Sequence, residues 1–296
     1  VRLLVTGASS FVGAHFCRLA AARGHHVIGL YRSTPLSLAG VRGVQLDLGG
    51  DRAARELARL DADAVVHLAC KVKGTGNGRQ ETESTQLNTR MLDRVLELAL
   101  PLVYASSTCV HWPQDSGYAT GRRQDEARIE ASGVPFATLR PCAPYGPALT
   151  THQPSHTESF HTLAQWVRRS PLVPVMGDGS AYRRQPIHVD DFNGAALNLL
   201  EQGLPNQAFD AGGADALTMD GLICALAKHL GTRALPVHLP KKALITAVSA
   251  ISADFEPDLL DTADVDDVAD PAALEAAAGM TMRTFSVGLP DLYRRV

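Results

Sequence analysis

Val5-Thr6-Gly7-Ala8-Ser9-Ser10-Phe11-Val12-Gly13 lies between a short apolar run and a helical pattern. A turn rich in glycine at such a junction lets the main chain approach a pyrophosphate closely. The first turn of the helix adds unpaired N–H groups and the positive end of a dipole. The same turn would also serve as a bare strand-to-helix connection. Farther on, Tyr118 and Arg122 stand four residues apart in a helical pattern, which sets a phenol and a guanidinium on one helical face. The five cysteines, Cys17, Cys70, Cys109, Cys142 and Cys224, are widely spaced and contain no CxxC pair. That spacing offers neither a disulfide framework nor a zinc site. No metal is expected, and most of the thiols read as small buried apolar groups.

The elements that must hold these groups alternate. Apolar runs at residues 3–6, 27–31, 44–46, 64–68, 102–105 and 136–140 are separated by helical patterns at 11–22, 52–60, 85–99 and 118–131. Strands alternating with longer helices predict a parallel sheet covered on both faces, and unbroken apolar runs suit strands buried on both sides. After Pro141 the rhythm changes. Pro144, Pro147 and Pro154 interrupt it, and helical patterns follow at 161–169, 192–202, 219–230 and 241–251. The fold expected is α/β, a Rossmann-type doubly wound parallel sheet with a smaller C-terminal substrate lobe. The division expected is residues 1–160 for a dinucleotide-binding domain and 161–296 for the lobe, with chain segments interleaved between them. The acidic stretch 254–270 reads as a surface loop.

Composition agrees with that picture. With 296 residues, 45% hydrophobic and 20% charged, the chain can bury a sizeable core. A formal net charge of -3 argues against a nucleic-acid surface. No apolar run reaches the ~18 residues of a membrane helix, and Val1-Arg2-Leu3-Leu4-Val5 lacks a signal-peptide pattern. A cytoplasmic protein without membrane or nucleic-acid partners is expected.

Gly7, Ser10 and Gly13 resemble the TGxxGxxG fingerprint of the extended short-chain dehydrogenase/reductase family, which contains NAD(P)-dependent epimerases, dehydratases and nucleotide-sugar reductases. Ser10 stands in place of the middle glycine. Serine is small and its hydroxyl could donate to a phosphate, so the resemblance implies altered but retained binding by Ser10, Phe11 and Val12. The likeness continues in order to about residue 200. Asp47, in Leu46-Asp47-Leu48, is similar to the family's Asp at the adenine. Val65-Val66-His67-Leu68-Ala69-Cys70 resembles its VxHLAA strand, which implies Leu68 and Ala69 beside the cofactor. Asn88 resembles the Asn that opens the helix before the catalytic strand. At the end of the second strand an acid would accept from the adenosine ribose and repel a 2′-phosphate. Tyr31-Arg32-Ser33 stands there instead. Arg32 suits that phosphate, or is merely a solvated loop charge. NADP is the preferred cofactor expected, with NAD the other candidate.

Val103-Tyr104-Ala105-Ser106-Ser107-Thr108-Cys109-Val110 resembles the family's strand ending in VYxSSxxVYG, which makes Ser107 the catalytic Ser/Thr. Family enzymes follow it with YxxxK; Tyr118-Ala119-Thr120-Gly121-Arg122 matches the tyrosine and departs at the lysine. The resemblance implies Tyr118 as acid/base, Ser107 as holder of the substrate oxygen, and Arg122 as partner of the nicotinamide ribose and of the phenol. Arginine keeps the charge but cannot relay a proton. Two outcomes stay open: a working Ser-Tyr-Arg triad, or a fold that keeps the cofactor and has lost ordinary redox chemistry. Thr138-Leu139-Arg140-Pro141-Cys142-Ala143-Pro144-Tyr145-Gly146-Pro147 resembles LRPxNVYGP, which implies Pro141 at the nicotinamide pocket. Ala143 replaces an Asn that often anchors substrate phosphate. Arg184, in Arg183-Arg184-Gln185-Pro186-Ile187-His188-Val189-Asp190-Asp191, resembles the arginine of RxxIHVDD that grips a nucleotide diphosphate. Thr108 and His111 are further candidates for substrate contact, although His111 reads equally as a surface histidine.

The function implied is an NAD(P)-dependent oxidoreductase or epimerase acting on a hydroxyl or keto carbon of an anionic small molecule, a nucleotide-sugar or related polar metabolite. The alternative is a dinucleotide-binding protein of the same fold without redox turnover: a sensor, a scaffold or a non-redox enzyme. The resemblance also implies a homodimer through the helices at 85–99 and 118–131. Direct measurement of both dissociation constants is expected to find NADP bound more tightly than NAD. Tighter NAD binding would remove Arg32 from this role.

Overall fold

The computed structural model describes residues 1–71, 78–112, 116–154, 158–249, 265–294 and 296. The first half runs β1 (Arg2–Thr6), α1 (Phe11–Ala22), β2 (His26–Tyr31), β3 (Val41–Gln45), α2 (Ala53–Leu57), β4 (Ala64–His67), α3 (Gly78–Leu96), β5 (Leu102–Ala105), α4 (Gly117–Ser132) and β6 (Phe136–Pro141). The second half runs α5 (Ser159–Arg169), β7 (Leu172–Met176), β8 (Arg183–Arg184), α6 (Val189–Gln202), β9 (Gln207–Ala211), β10 (Leu217–Thr218), α7 (Met219–Leu230), β11 (Leu235–Leu239), α8 (Lys241–Ser249), α9 (Ala272–Ala278) and α10 (Phe285–Gly288).

Seven strands form one sheet in the order β3-β2-β1-β4-β5-β6-β9, and every pairing is parallel. Alternate residues of each central strand feed different cores. Leu3, Val5, Val66 and Val103 join the cluster under α1, α6 and α9. Leu4, Val65, Leu102 and Tyr104 join the cluster under α3 and α4. Both faces are therefore buried, which explains the unbroken apolar runs. This is the doubly wound Rossmann-type sheet that the alternation predicts.

After β6 the chain passes back and forth. α5 and β7 enter the lobe, and α6 returns to pack on α1. β9 then adds to the sheet beside β6, in register Leu139↔Phe209. β9 is missing from the strands read in the sequence because Gln207-Ala208-Phe209-Asp210-Ala211 is short and carries two polar residues. In the lobe β7 pairs with β11 and β8 pairs with β10. Its core gathers Tyr145, Phe160, Val173, Leu226 and Phe285. Tyr145 stands at its inner edge, ring centres 5.5 Å from Phe160, 5.3 Å from Phe285 and 5.2 Å from His188.

Several boundaries differ from expectation for visible reasons. α3 begins at Gly78, well before residue 85. α6 begins at Val189 because His188 caps it, its Nδ1 accepting the Asp190 N–H at 3.2 Å. α8 ends at Ser249, and residues 250 and 251 lie outside the described residues. Of the acidic stretch expected as a surface loop, residues 254–264 lie outside the described residues, and the remainder corrects the reading. Asp267 is main-chain paired to the end of β8, donating to the Arg183 carbonyl at 2.9 Å and accepting from Gln185 at 3.2 Å, and Ala269 is buried. Among the described residues no helix is long and apolar enough to cross a membrane.

Phe192 of α6 is fully buried in the cluster between α1, α6 and the sheet. Phe192→Ala is expected to lower the unfolding free energy by about 3–5 kcal/mol in urea titration, with an unchanged slope.

Candidate active site

The turn after β1 is built by exclusion of side chains. Gly7 has φ +64°, and a Cβ there would lie 2.7 Å from the Ala69 nitrogen. A Cβ at Gly13 would lie 2.2 Å from the Gly7 carbonyl oxygen. A methyl group at Gly7 would force the turn away from the loop that leaves β4, and one at Gly13 would force α1 away from the turn. Ser10, where the resemblance places a glycine, caps α1: its Oγ accepts the Gly13 N–H at 3.0 Å. The Phe11 and Val12 N–H groups have no intrahelical acceptor at these positions. The cradle thus keeps its free donors, and the Ser10 hydroxyl keeps its own proton.

Beside it, Thr6 Oγ1 accepts the Ala69 N–H at 3.1 Å and lies 2.7 Å from His67 Nδ1. Burial, helped by the Arg122 charge, pulls the His67 pKa down to about 3. Asn88 grips the same loop, accepting the Lys71 N–H at 2.8 Å and donating to the Lys71 carbonyl at 3.0 Å. Its amide also reaches the Cys70 sulfur at 3.6 Å. At the adenosine end, Tyr31 packs partly on the core, and Arg32 and Ser33 are exposed at the end of β2. The Asp47 carboxylate accepts the Gly49 N–H at 3.0 Å, and Leu48 is buried.

The catalytic candidates meet at the same end of the sheet. Ser107 follows β5, and its Oγ accepts the Cys109 N–H at 3.2 Å. Ser116 caps α4 by accepting the Ala119 N–H at 3.1 Å, which brings Tyr118 into the first turn. The Arg122 guanidinium carbon lies 5.1 Å from the Tyr118 ring centre, and the phenol also bonds the Cys70 thiol. Burial pushes the Tyr118 phenol well above its usual range, and the Arg122 charge works against that. Arg122 is 4% exposed, donates to the Tyr104 hydroxyl, and has a buried Nε without a partner.

The substrate candidates line the other side. Thr108 donates to Asp267 Oδ1 at 2.6 Å and lies 3.4 Å from the Pro141 carbonyl. Trp112 donates to the same Asp267 oxygen at 3.4 Å. His111 Nε2 lies 2.9 Å from Asp210 Oδ1 on β9. Ala143 has φ +32°, in the left-handed region where Asn is at ease and Ala is not. The Arg184 guanidinium donates to the Val265 carbonyl and stacks 5.1 Å from the Tyr182 ring centre. Ser107, Tyr118 and Arg122 therefore gather at the strand ends, while Ala143 follows β6, His111 meets β9 at the sheet edge and Arg184 lies in the lobe.

The family model for the NAD-dependent epimerase/dehydratase family matches residues 3–212. The chain belongs to that family. A dTDP-4-dehydro-6-deoxy-D-allose reductase of Streptomyces bikiniensis is 28% identical over 88% of this chain and 93% of the relative. A ceramide reductase of Caulobacter vibrioides is 29% identical over 63% of this chain and 57% of the relative. Among solved structures, MoeE5 in complex with UDP-glucose and NAD superposes with TM-score 0.77 at 21% identity, over 99% of this chain and 97% of that one. A Thermotoga maritima UDP-glucose 4-epimerase with UDP-glucose superposes with TM-score 0.78 at 18% identity, over 99% and 97%. These likenesses establish the fold.

As a member of this epimerase/dehydratase family the chain is an enzyme, and its residues fit a dinucleotide on their own terms. The Gly7–Gly13 cradle would be filled by a single Cβ, and the Phe11 and Val12 N–H groups beside it have no intrahelical acceptor. The sequence reading gave no role to Tyr104, Asp125, Cys70 or Asp267. Asp125 was within reach of inference, since i and i+3 share a helical face with Arg122. Asp267 was not, because the side chains that meet its carboxylate, Thr108 and Trp112, lie more than a hundred residues away.

His67 supplies a pH test. Its ordinary pKa is about 6.5, and the folded value is about 3. Between these limits the unfolded chain takes a proton that the folded one refuses, so stability falls as pH falls through that window. His67→Gln is expected to flatten the dependence by up to about 1.4 kcal/mol per pH unit. Urea unfolding at several pH values below neutrality measures it, and equal slopes would mean that His67 is charged in the fold.

Proposed function

We propose that this protein is an NADP-preferring oxidoreductase or epimerase that works at a hydroxyl or keto carbon of a nucleotide-sugar, with Ser107, Tyr118 and Arg122 as its reacting set. The observation that carries this reading is the buried Arg122 guanidinium 5.1 Å from the Tyr118 ring, beside a glycine cradle that no side chain can enter. The Streptomyces relative, named for a dTDP-keto-sugar, and the two UDP-glucose complexes support a nucleotide-sugar.

Bound NADP would supply or accept the hydride. The protein's own groups do the rest. Gly7 and Gly13 let the Phe11 and Val12 N–H groups hold the pyrophosphate. Arg32 and Ser33 take the 2′-phosphate, and the Arg122 guanidinium takes a ribose hydroxyl. Ser107 Oγ already accepts from Cys109, so its proton is left to steady the substrate oxygen. Tyr118 exchanges the proton at its Oη. Burial keeps that proton on the phenol, which is the state needed to protonate a carbonyl oxygen as it is reduced.

Tyr118→Phe keeps the ring and removes the proton. Reduction of dTDP- and UDP-4-keto-sugars, followed by loss of NADPH absorbance, is expected to fall about 10²- to 10⁴-fold. Undiminished turnover in that variant would take Tyr118 out of the mechanism.

A further inference from the structure

A guanidinium as deeply buried as Arg122 must be answered by a counter-charge. The answering group is Asp125, three residues along the same helix and 2% exposed. The two are joined through Tyr104. Arg122 Nη1 donates to the Tyr104 hydroxyl oxygen, and that hydroxyl donates to Asp125 Oδ2 at 2.8 Å. Asp125 Oδ1 lies 3.5 Å from Thr89 Oγ1. The phenol uses both of its polar capacities, so the direction of every proton in the line is set. Arg122 Nη1 also lies 3.4 Å from the Ala105 carbonyl, whereas Nε on the other edge has no partner. The remaining titratable groups facing Arg122 are Tyr118, Cys70, Cys109 and His67. Burial holds the first three protonated and His67 unprotonated; it raises the Asp125 carboxyl too, but from a carboxylate's low starting point and against the Tyr104 hydrogen bond and the Arg122 charge.

We infer that Asp125, acting through Tyr104, is a positioning residue that pins the Arg122 guanidinium by its Nη1 edge and thereby holds it beside the Tyr118 ring, in place for the cofactor ribose. It is the device that makes an arginine workable at a position where the family pattern has lysine. An ammonium is one compact donor group, whereas a planar fork can hold an inner partner and an outer one at once. The inference rests on the reading that a dinucleotide occupies the cradle.

NADPH titration by nucleotide fluorescence tests it in four proteins: wild type, Arg122→Lys, Asp125→Asn and the double variant. Asp125→Asn is expected to raise the dissociation constant about tenfold in the wild-type background and less than about twofold in the lysine background. Tyr104→Phe keeps the ring and breaks the same line, so it repeats the tenfold loss even if Asp125→Asn fails to fold. Equal effects in both backgrounds, or none in either, overturn the inference.

A second readout needs no cofactor. The Arg122 Nε–H resonance, assigned by its absence in Arg122→Lys, is expected to be protected from solvent exchange in the wild type and unprotected in Tyr104→Phe. Full protection in Tyr104→Phe would overturn the pinning. Failure of wild type to bind NADPH or NADH would instead overturn the cofactor reading, and with it the role of Arg122 toward the ribose.

Discussion

The main chain at Gly7 lies so close to Leu68 and Ala69 that one methyl group would collide with three backbone atoms. β1 and β4 are neighbours in the sheet, and in sheets of this winding the crevice where loops part is where ligands sit. Here the parting is held tight. Thr6 binds the Ala69 N–H, Asn88 binds both main-chain groups of Lys71, and Gly13 closes on the Gly7 carbonyl. The floor of the site is therefore stiff before a ligand arrives. The ends of β5 and the start of α4 take their places relative to it, through the strand register Val66↔Val103 and the stacked rings of His67 and Tyr104.

α4 is attached to the sheet largely by polar bonds. Its buried positions include Ala119, Gly121 and Ile129, a thin apolar stripe, and also Arg122, Asp125 and Glu126. Adjacent residues on a helix point about 100° apart, so the two acids serve different strands. Asp125 answers Tyr104, while Glu126 accepts from Ser106 at 2.5 Å and pairs with Arg140 at 2.6 Å. Buried ion pairs cost desolvation and contribute little net stability. What they supply is angle. A helix held only by an apolar stripe can rotate by some degrees, whereas one held by two carboxylates in different directions cannot do so without leaving a charge unpaired.

Much of this could be read from the chain. The alternation of apolar runs with helical patterns specified the sheet, because strands covered on both faces have no polar side to confuse the signal. Gly7 and Gly13 were recognisable because a tight strand-to-helix turn demands them, whereas Ser107 and Tyr118 were reached through the resemblance to the family's motifs. The misses share one cause. β9 is a strand only because β6 offers it an edge, and Asp267 matters only because the chain brings it back to Thr108 and Trp112. Neither has a periodic or spaced neighbour in sequence. Arg122 was seen as a departure, but its partner Tyr104 lies on another strand, and a contact between strand and helix leaves no mark in either pattern.

β9 has a consequence for how the molecule holds together. It covers the outer flank of β6, whose main-chain N–H and C=O groups would otherwise face water in a row. Such an uncovered strand recruits strands from other molecules. The segment that protects it arrives only after the chain has built part of the lobe, and α9 then packs against it. The first half of the sequence consequently borrows the cover of its last strand, and with it a safeguard against self-association, from the far half.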